Sequence, residues 1–351
     1  MNDEASSSVT LYDVSRLCKV SIATVSRVIN NSDKVKPDTR DRVREAMKQL
    51  GFRPNSAARA LAGQQTRTMG VILPDISSGF YAHVLKGIDR ALAEKGFHAL
   101  TMFSHDLEDE KALTHRILDE RRVDALILMN LELPDSFIEE IAESRTPLVL
   151  LDRPSSIRKI SSVSINNEQG IKNAMAYLAR ECGYRNVGVI SGPPGTYDAD
   201  QRLMACHRFA RRYGLCIPPG FIVNGSFDHD AAYAVMDSWI REGKKLPDAM
   251  IALNDVMAIG CWNACRHHNI SVPEELGIIG FDDVEYARLL GLTTVHVPLV
   301  EMGIKAAELA IAACDQVSPA RMIMMDTELM IRSTCRRRED APPARKKKEK
   351  K

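Results

Sequence analysis

From Thr68 onward the chain repeats one pattern, a short continuous apolar run followed by an amphipathic helical stretch. The first series reads MGVIL, FYAHVLKGIDRALAEKG, FHALTMF, a charged helix, ALILM and PLVLLD. The second reads NVGVIS, an arginine-rich helix, FIVNGSF, AMIALND and LGIIGFDD. Strands that are apolar at every position must be covered on both faces, and the alternating helices supply that cover, so each series predicts a parallel sheet. Two series predict two Rossmann-like lobes with a cleft between them. Sheets of this kind bind ligands outside the carboxyl ends of their strands.

The polar residues just past those strand ends are Asp75, Asp152, Asn254, Asp282 and Asp283, joined by Arg202 beyond the loop after NVGVIS. Carboxylates accept hydrogen bonds from vicinal hydroxyls and arginine donates in a fixed fork, while Phe80, Tyr81 or Phe227 can cover an apolar sugar face. Taken singly, each acid reads as a cap of the helix that follows. Agreement across five strand ends points to one pocket for a small neutral polyol. Crossovers between lobes are expected near Ile165-Asn166, His296-Val297 and Glu328-Leu329, which makes the cleft a hinge.

Residues 10 to 37, TLYDVSRLCKVSIATVSRVINNSDKVKP, carry a different pattern. Leu11, Val14, Leu17 and Cys18 recur at the spacing of an apolar helical face, and Lys19-Val20 separates them from a second helix. Ser21 suits the cap of that helix, and Val25, Val28 and Ile29 form its buried stripe. Its opposite face carries Ile22, Ala23, Ser26, Arg27 and Asn30. Pro37 opens a third helix whose core is Val43, Met47 and Leu50, with Gly51 at its end. This is a helix-turn-helix in which Arg27 suits a guanine edge and the small apolar side chains suit thymine methyls. A three-helix packing module without nucleic acid is the competing reading. Beyond it, Arg53-Pro54-Asn55 and SAARALAG form a candidate helix too short to stand alone in water, so its folding should be conditional.

A net charge of +1 conceals an uneven distribution: about +5 over residues 1–67, about +6 over 336–351 and about −10 between them. Basic ends on an acidic body suit a protein with one phosphate-facing module. Catalysis is disfavoured, because GPPG at 192–195 lacks the Gly-Lys-Ser/Thr of a phosphate loop and neither Gly-x-Ser-x-Gly nor His-Glu-x-x-His occurs. No cofactor or metal is expected. The eight cysteines form no CxxC pair, and reduced, mostly buried thiols are expected, Cys261 and Cys265 included. His267 and His268, being adjacent, are expected on different sides of a helix. With no signal-peptide form at the N-terminus and no membrane-length run, a cytoplasmic protein without a membrane partner is expected. A transport receptor built on the same two lobes would need a signal peptide and no headpiece.

Residues Val9 to Gly63, with the runs VSIATVSRVIN and RPNSAARALAG, resemble the headpiece of the LacI/GalR family of bacterial repressors. LNDVMAIG, LGIIGFDDVEYA and LTTVHVP resemble runs of that family's body, which is similar to periplasmic sugar-binding proteins. The resemblance implies an all-α helix-turn-helix headpiece (1–53), a hinge helix or linker (54–67), an α/β two-lobed, periplasmic-binding-protein-like effector and dimerisation domain (68–335) and a basic tail (336–351). It further implies a homodimeric, sequence-specific repressor whose operator affinity is set allosterically by a small carbohydrate-like effector.

Residue by residue, the resemblance assigns base reading to Ile22, Ala23 and Arg27, and contacts to phosphates or neighbouring bases to Thr10, Ser21, Asn30 and Lys34. Leu61 is implied as a minor-groove wedge at the centre of the site, favouring a pyrimidine–purine step there. Effector contacts fall on Asp152, Arg202, Phe227, Asn254 and Asp282, with Phe80, Tyr81 and His105 beside them. Two positions depart from the family. Lys19 stands where Gly or Asn is usual at a left-handed turn, and Pro74-Asp75 stands where a hydroxyl residue is common. The tail after Arg332 has no leucine, so tetramerisation by a leucine heptad is not expected; its charge either attracts DNA non-specifically or is solvated decoration.

Overall fold

The computed structural model describes residues 9–29, 33–52, 65–74, 79–129, 133–315 and 319–337. The chain forms two compact units that divide between Thr66 and Arg67. The expected wedge Leu61, the candidate hinge helix, Asn30, Asp75 and the tail from 338 lie outside the described residues.

The first unit holds helices α1 (Leu11–Cys18), α2 (Ile22–Ile29) and α3 (Pro37–Leu50). Val14, Cys18, Val25, Val28, Val35, Val43 and Ala46 form its core, with Leu11, Ile29, Met47 and Leu50 packed against it. Leu17, expected in the apolar face, is instead 45 % exposed. A core shared by three short helices admits only the stripe through Val14 and Cys18, and Leu17 lies about 100° round from Cys18. The Ser21 hydroxyl accepts the Thr24 N–H at 3.1 Å, opening α2.

Lys19 adopts φ 50° and ψ 47°, the left-handed turn that glycine would take freely. A side chain there costs about 1 kcal/mol. Arg42, reaching from α3, donates to the Cys18 carbonyl at 2.6 Å and satisfies one of the carbonyls that the end of α1 leaves open.

In the second unit the expected alternation becomes two six-stranded sheets. The first lobe is built from β1 (Thr68–Leu73), α4 (Gly79–Glu94), β2 (His98–Phe103), α5 (Leu107–Asp119), β3 (Ala125–Leu128), α6 (Asp135–Ala142), β4 (Leu148–Leu151) and β5 (Ser161–Ile165). The chain then crosses to the second lobe with α7 (Asn167–Tyr177), β6 (Val187–Ser191), α8 (Tyr197–Tyr213), β7 (Ile222–Asn224), α9 (His229–Arg241), β8 (Ala249–Ala252), α10 (Asp255–His267), β9 (Gly277–Asp282), α11 (Glu285–Leu290) and β10 (Thr293–His296). It returns through α12 (Leu299–Cys314) and β11 (Met322–Met325) to the first sheet and ends with β12 (Glu328–Met330) in the second. Strand orders are β11-β5-β4-β3-β1-β2 and β12-β10-β9-β8-β6-β7. All pairings are parallel except β10 with β12. Each sheet reverses its winding direction, between β1 and β3 and between β6 and β8, and that reversal opens the crevice where a ligand can sit.

The first two crossovers lie where the sequence places them. The third passes through Asp326-Thr327, two residues before Glu328-Leu329, because Glu328 and Leu329 are already paired with β10. First and third crossovers are bonded together: Asn166 N–H donates to the Met325 carbonyl at 2.9 Å, and the Thr327 hydroxyl donates to the Asn166 carbonyl at 3.1 Å.

Helices α4 and α12 touch backbone to backbone. A Cβ added at Gly87 would lie 2.0 Å from the Val300 carbonyl oxygen, and one at Gly303 would lie 2.1 Å from that of Val84. No side-chain rotation relieves a clash with main chain. The substitution Gly303→Val is therefore expected to cost about 3 kcal/mol, read as a lowered urea midpoint. An unchanged midpoint would show that the two helices can separate at no cost.

Candidate functional site

Two places gather the candidate residues. On the first unit, Ile22, Ala23 and Arg27 of α2 are exposed, Ser26 is half-buried, and Thr10, Ser21 and Lys34 are exposed nearby in sequence. The Thr10 hydroxyl and backbone N–H both donate to Asp13 Oδ2, at 2.7 and 2.9 Å. Those bonds, the hydroxyl's foremost, hold the Asp13 carboxyl below its ordinary range. Tyr12, 57 % exposed, carries the Arg16 guanidinium 5.9 Å from its ring centroid. Sequence reasoning passed over this pair, although i,i+4 spacing on α1 puts the two side chains on one face.

The second place is a cavity of about 420 Å³ between the lobes of the second unit. Pro74, Phe80, Tyr81 and Asp152 line it from one lobe, and Asp198, Arg202, Phe227, Asp228, His229, Asn254, Val256, Asp282 and Val284 from the other. Seven of the nine expected effector residues converge here. His105 does not; it is exposed at the start of α5, where its N–H donates to Asp109 Oδ2 at 3.0 Å. Asp75 lies outside the described residues.

Backbone conformation does the aiming. Asp152 follows β4 at φ 70° and Asp282 ends β9 at φ 112°, left-handed geometries that non-glycine residues seldom adopt. Asp283, at φ 59°, belongs to the same turn but not to the cleft. Its carboxylate takes a hydrogen bond from Arg332 at 2.6 Å and meets His296 Nδ1 at 3.1 Å. Burial pushes that carboxyl up, but His296 and Arg332 outweigh it and hold the group low. Asp283 is thus a structural ion-pair partner.

Phe227 shows a comparable constraint. It sits at φ 56°, and its ring lies so close to Gly192 that a Cβ there would meet ring atoms at 2.4 Å. The first glycine of GPPG is the seat of this ring. Across the cleft, Phe80 and Tyr81 meet edge to face at 5.3 Å.

Arg202 is the electrostatic centre of the site. Only 3 % exposed, it donates from Nε to Asn167 Oδ1 at 2.8 Å and from Nη1 to the Leu253 carbonyl at 2.6 Å. Its guanidinium lies 3.8 Å from the Phe281 ring centroid, 3.9 Å from Asp198 and 3.7 Å from Asp282. Three buried carboxylates, Asp152, Asp198 and Asp282, surround this one cation. Burial, reinforced by Asp198, drives the Asp152 carboxyl well above its usual range. Burial also raises Asp282 to about 7, with Arg202 opposing and Asp198 adding to the shift. Among the described residues, one oxygen on each of the three acids has no hydrogen-bond partner. The cleft is therefore lined by buried carboxyl oxygens that a ligand's donors can satisfy.

Sequence reasoning missed Asp198, although it stands one helical turn before Arg202 on α8, and that spacing signals a shared face. It also missed Asp255. This fully buried acid accepts the Val284 N–H at 2.9 Å and the Thr294 hydroxyl, tying α10 to the end of β9. Its neighbour Asn254 caps α10 by accepting the Met257 N–H at 2.8 Å, with its amide nitrogen 3.4 Å from the Phe227 carbonyl. Cap and cleft residue are here the same side chain.

His267 and His268 contradict the expectation that they diverge: their rings stack at 5.0 Å with a 17° interplanar angle. His268 is already the cap of α10, at φ −94° and ψ 11°, so helical rotation no longer separates the pair. His267 bonds to the Tyr233 hydroxyl and His268 to Asp237, whose carboxyl that bond holds low. Among the described residues, no helix is long and apolar enough to cross a membrane.

The sequence matches two family models: bacterial regulatory proteins of the lacI family over residues 10–55, and the periplasmic binding protein-like domain over 176–335. It is 33 % identical to catabolite control protein A of Priestia megaterium over 304 residues, covering 86 % of this chain and 91 % of that protein. Identity to the HTH-type transcriptional repressor CytR of Escherichia coli strain K12 is 31 %, over 93 % of this chain and 96 % of that one. Among solved structures, the transcriptional regulator CelR in complex with cellobiose superposes with a TM-score of 0.70 at 27 % identity, covering 93 % of this chain and 99 % of the other.

Proposed function

Because the chain belongs to the lacI family of bacterial regulatory proteins, we propose that α2 reads operator DNA through Ile22, Ala23 and Arg27 while the interlobe cleft binds the effector that sets operator affinity. The protein is a DNA-binding transcriptional regulator of the repressor type and works as a homodimer on double-stranded operator DNA. Two-fold sites require a two-fold protein. Ser26 and, beyond the described residues, Asn30 join the reading face; Thr10, Ser21, Asn30 and Lys34 contact phosphates or neighbouring bases; Leu61 is the wedge. Residues 1–53 are the headpiece, 54–67 the hinge, 68–335 the effector and dimerisation domain and 336–351 a basic tail. The site of action is the cytoplasm.

The observation that carries this reading is the convergence of Phe80, Tyr81, Asp152, Arg202, Phe227, Asn254 and Asp282 on one cavity bounded by both lobes. A ligand there touches residues on either side of the crossovers. If it binds one closure state better than another, it biases the hinge and with it the spacing of the two headpieces. Linkage then requires the operator to change effector affinity by the same factor. Acceptor carboxylates and facing aromatic rings suit a small carbohydrate-like molecule, and a sugar complex is known for one of the similar structures.

Fluorescence anisotropy on a palindromic site with a central CG step against a scrambled duplex, repeated over a sugar panel, tests both halves. Site-selective binding altered by one compound is the expected result; equal, salt-sensitive binding to both duplexes overturns the assignment of the reading face. Arg27→Ala is expected to weaken the cognate site by about 1 to 3 kcal/mol and random DNA little. Equal losses on both duplexes would remove Arg27 as a base reader.

A further inference from the structure

We propose that Asp198 makes this cleft a site for a ligand bearing a protonated amine, an amino sugar or amino polyol, and closes it to phosphorylated and carboxylated sugars. The inference rests on the effector reading above and narrows its chemistry. Three buried carboxylates face the cavity, and each keeps an oxygen without a partner among the described residues. Burial, with the neighbouring acids adding to it, holds Asp152 and Asp282 towards the protonated form, because one guanidinium cannot offset three ionised acids.

The basic side chains that line the cavity already have partners. Arg202 gives its Nε and Nη1 donors to Asn167 and the Leu253 carbonyl, and its charge is flanked by Asp198 and Asp282 at 3.9 and 3.7 Å. His229 also lines the cleft, yet its Nδ1 meets Asp230 at 2.7 Å and its Nε2 meets Asn263 at 2.9 Å. A further acid at the rim, Asp228, is committed to capping α9 through the Ala231 N–H at 2.7 Å.

An anionic ligand would therefore enter a buried site whose three acids already share the one guanidinium, and its charge would oppose their ionisation further. That is a repulsive element against anions. A neutral polyol supplies donors but no charge that lets the acids ionise. An ammonium group supplies three donors and a positive charge together. Without Asp198 the set would hold two carboxylates against one guanidinium. Asp198 thus distinguishes an amine from a hydroxyl at the same place.

Calorimetry on the full-length protein with matched triads in the gluco, galacto and manno configurations tests this: an amino sugar, its neutral parent and its 6-phosphate, each taken to tens of millimolar. In the configuration that binds best, the amino sugar is expected to bind about tenfold or more tightly than its parent, and the phosphate not to bind. Asp198→Asn is expected to abolish that preference. Asp200→Asn, at an exposed acid of the same helix, is expected to retain it. If Asp198→Asn melts below wild type by more than a few degrees, Asp198→Ser takes its place. Equal binding of amine and parent, a preference that survives at residue 198, or tighter binding of the phosphate overturns the inference and leaves the sugar reading standing. No binding by any member overturns both.

Discussion

Replacing Arg202 by alanine is expected to destabilise the two-lobed body by about 3 to 5 kcal/mol, the largest loss for any single side chain in the cleft. The guanidinium is buried against Phe281, bonded to Asn167 and the Leu253 carbonyl, and flanked by Asp198 and Asp282. Its removal leaves acids without the one cation that offsets them and orphans a buried carbonyl and a buried amide oxygen. Effector binding should disappear as well. Lysine is not expected to rescue, since a single ammonium cannot reproduce the forked donors or the stacking on Phe281. Urea unfolding of the full chain reads the effect; a loss below about 1 kcal/mol would mean that water enters and solvates the carboxylates.

A second substitution in the same cluster is expected to act in the opposite direction. Burial pushes the Asp282 carboxyl up to about 7 in the folded chain, against an ordinary value of 3.8. Between those two values the folded state holds a proton that the unfolded state has lost, so stability rises as pH falls through that window. Above about 7 the ionised carboxylate is a cost. Asp282→Asn removes that cost and is expected to be more stable than wild type at pH 8, on the order of 2 kcal/mol, with the difference closing towards pH 5. Asp152 and Asp255 are raised by burial too, so the wild-type profile alone cannot isolate one group, whereas the difference between variants does. The same change is expected to abolish the response to effector while operator binding persists. Thermal melts at both pH values decide the first point, and wild type proving the more stable protein at pH 8 would refute it. A site that weakens its own fold in this way has been shaped for a ligand.

Where a residue's fate depends on its neighbours in the chain, the sequence was legible. The stripe Val14, Val25, Val28 and Val43, the caps at Ser21 and Asn254 and the end of α3 at Gly51 follow from helical period and local hydrogen bonding. The apolar strands β1, β3, β4, β6, β8 and β9 announced themselves because burial on both faces leaves no room for polar side chains. Strand β5, with the sequence SSVSI, did not. Its serines are buried, but Ser162 accepts the Ser155 N–H at 3.2 Å and Ser161 accepts the Arg321 N–H at 3.1 Å, partners no local pattern reveals. Strand β11 hid for the opposite reason: it is an edge strand whose Met322 and Met324 are largely exposed.

The sequence by itself determined the helices, the strands buried on both faces and which strand ends present polar groups, because those properties arise from interactions over a few residues. It could not divide Asp282 from Asp283. They are adjacent and chemically identical, yet one faces Arg202 in the cleft and the other binds Arg332 and His296. Nor could it weigh Asp152, Asp198 and Asp282 together, since their shared charge exists only once two lobes bring distant segments within a few ångströms in a medium that excludes water. Burial and long-range proximity set the strength of a charge, and both belong to the tertiary structure.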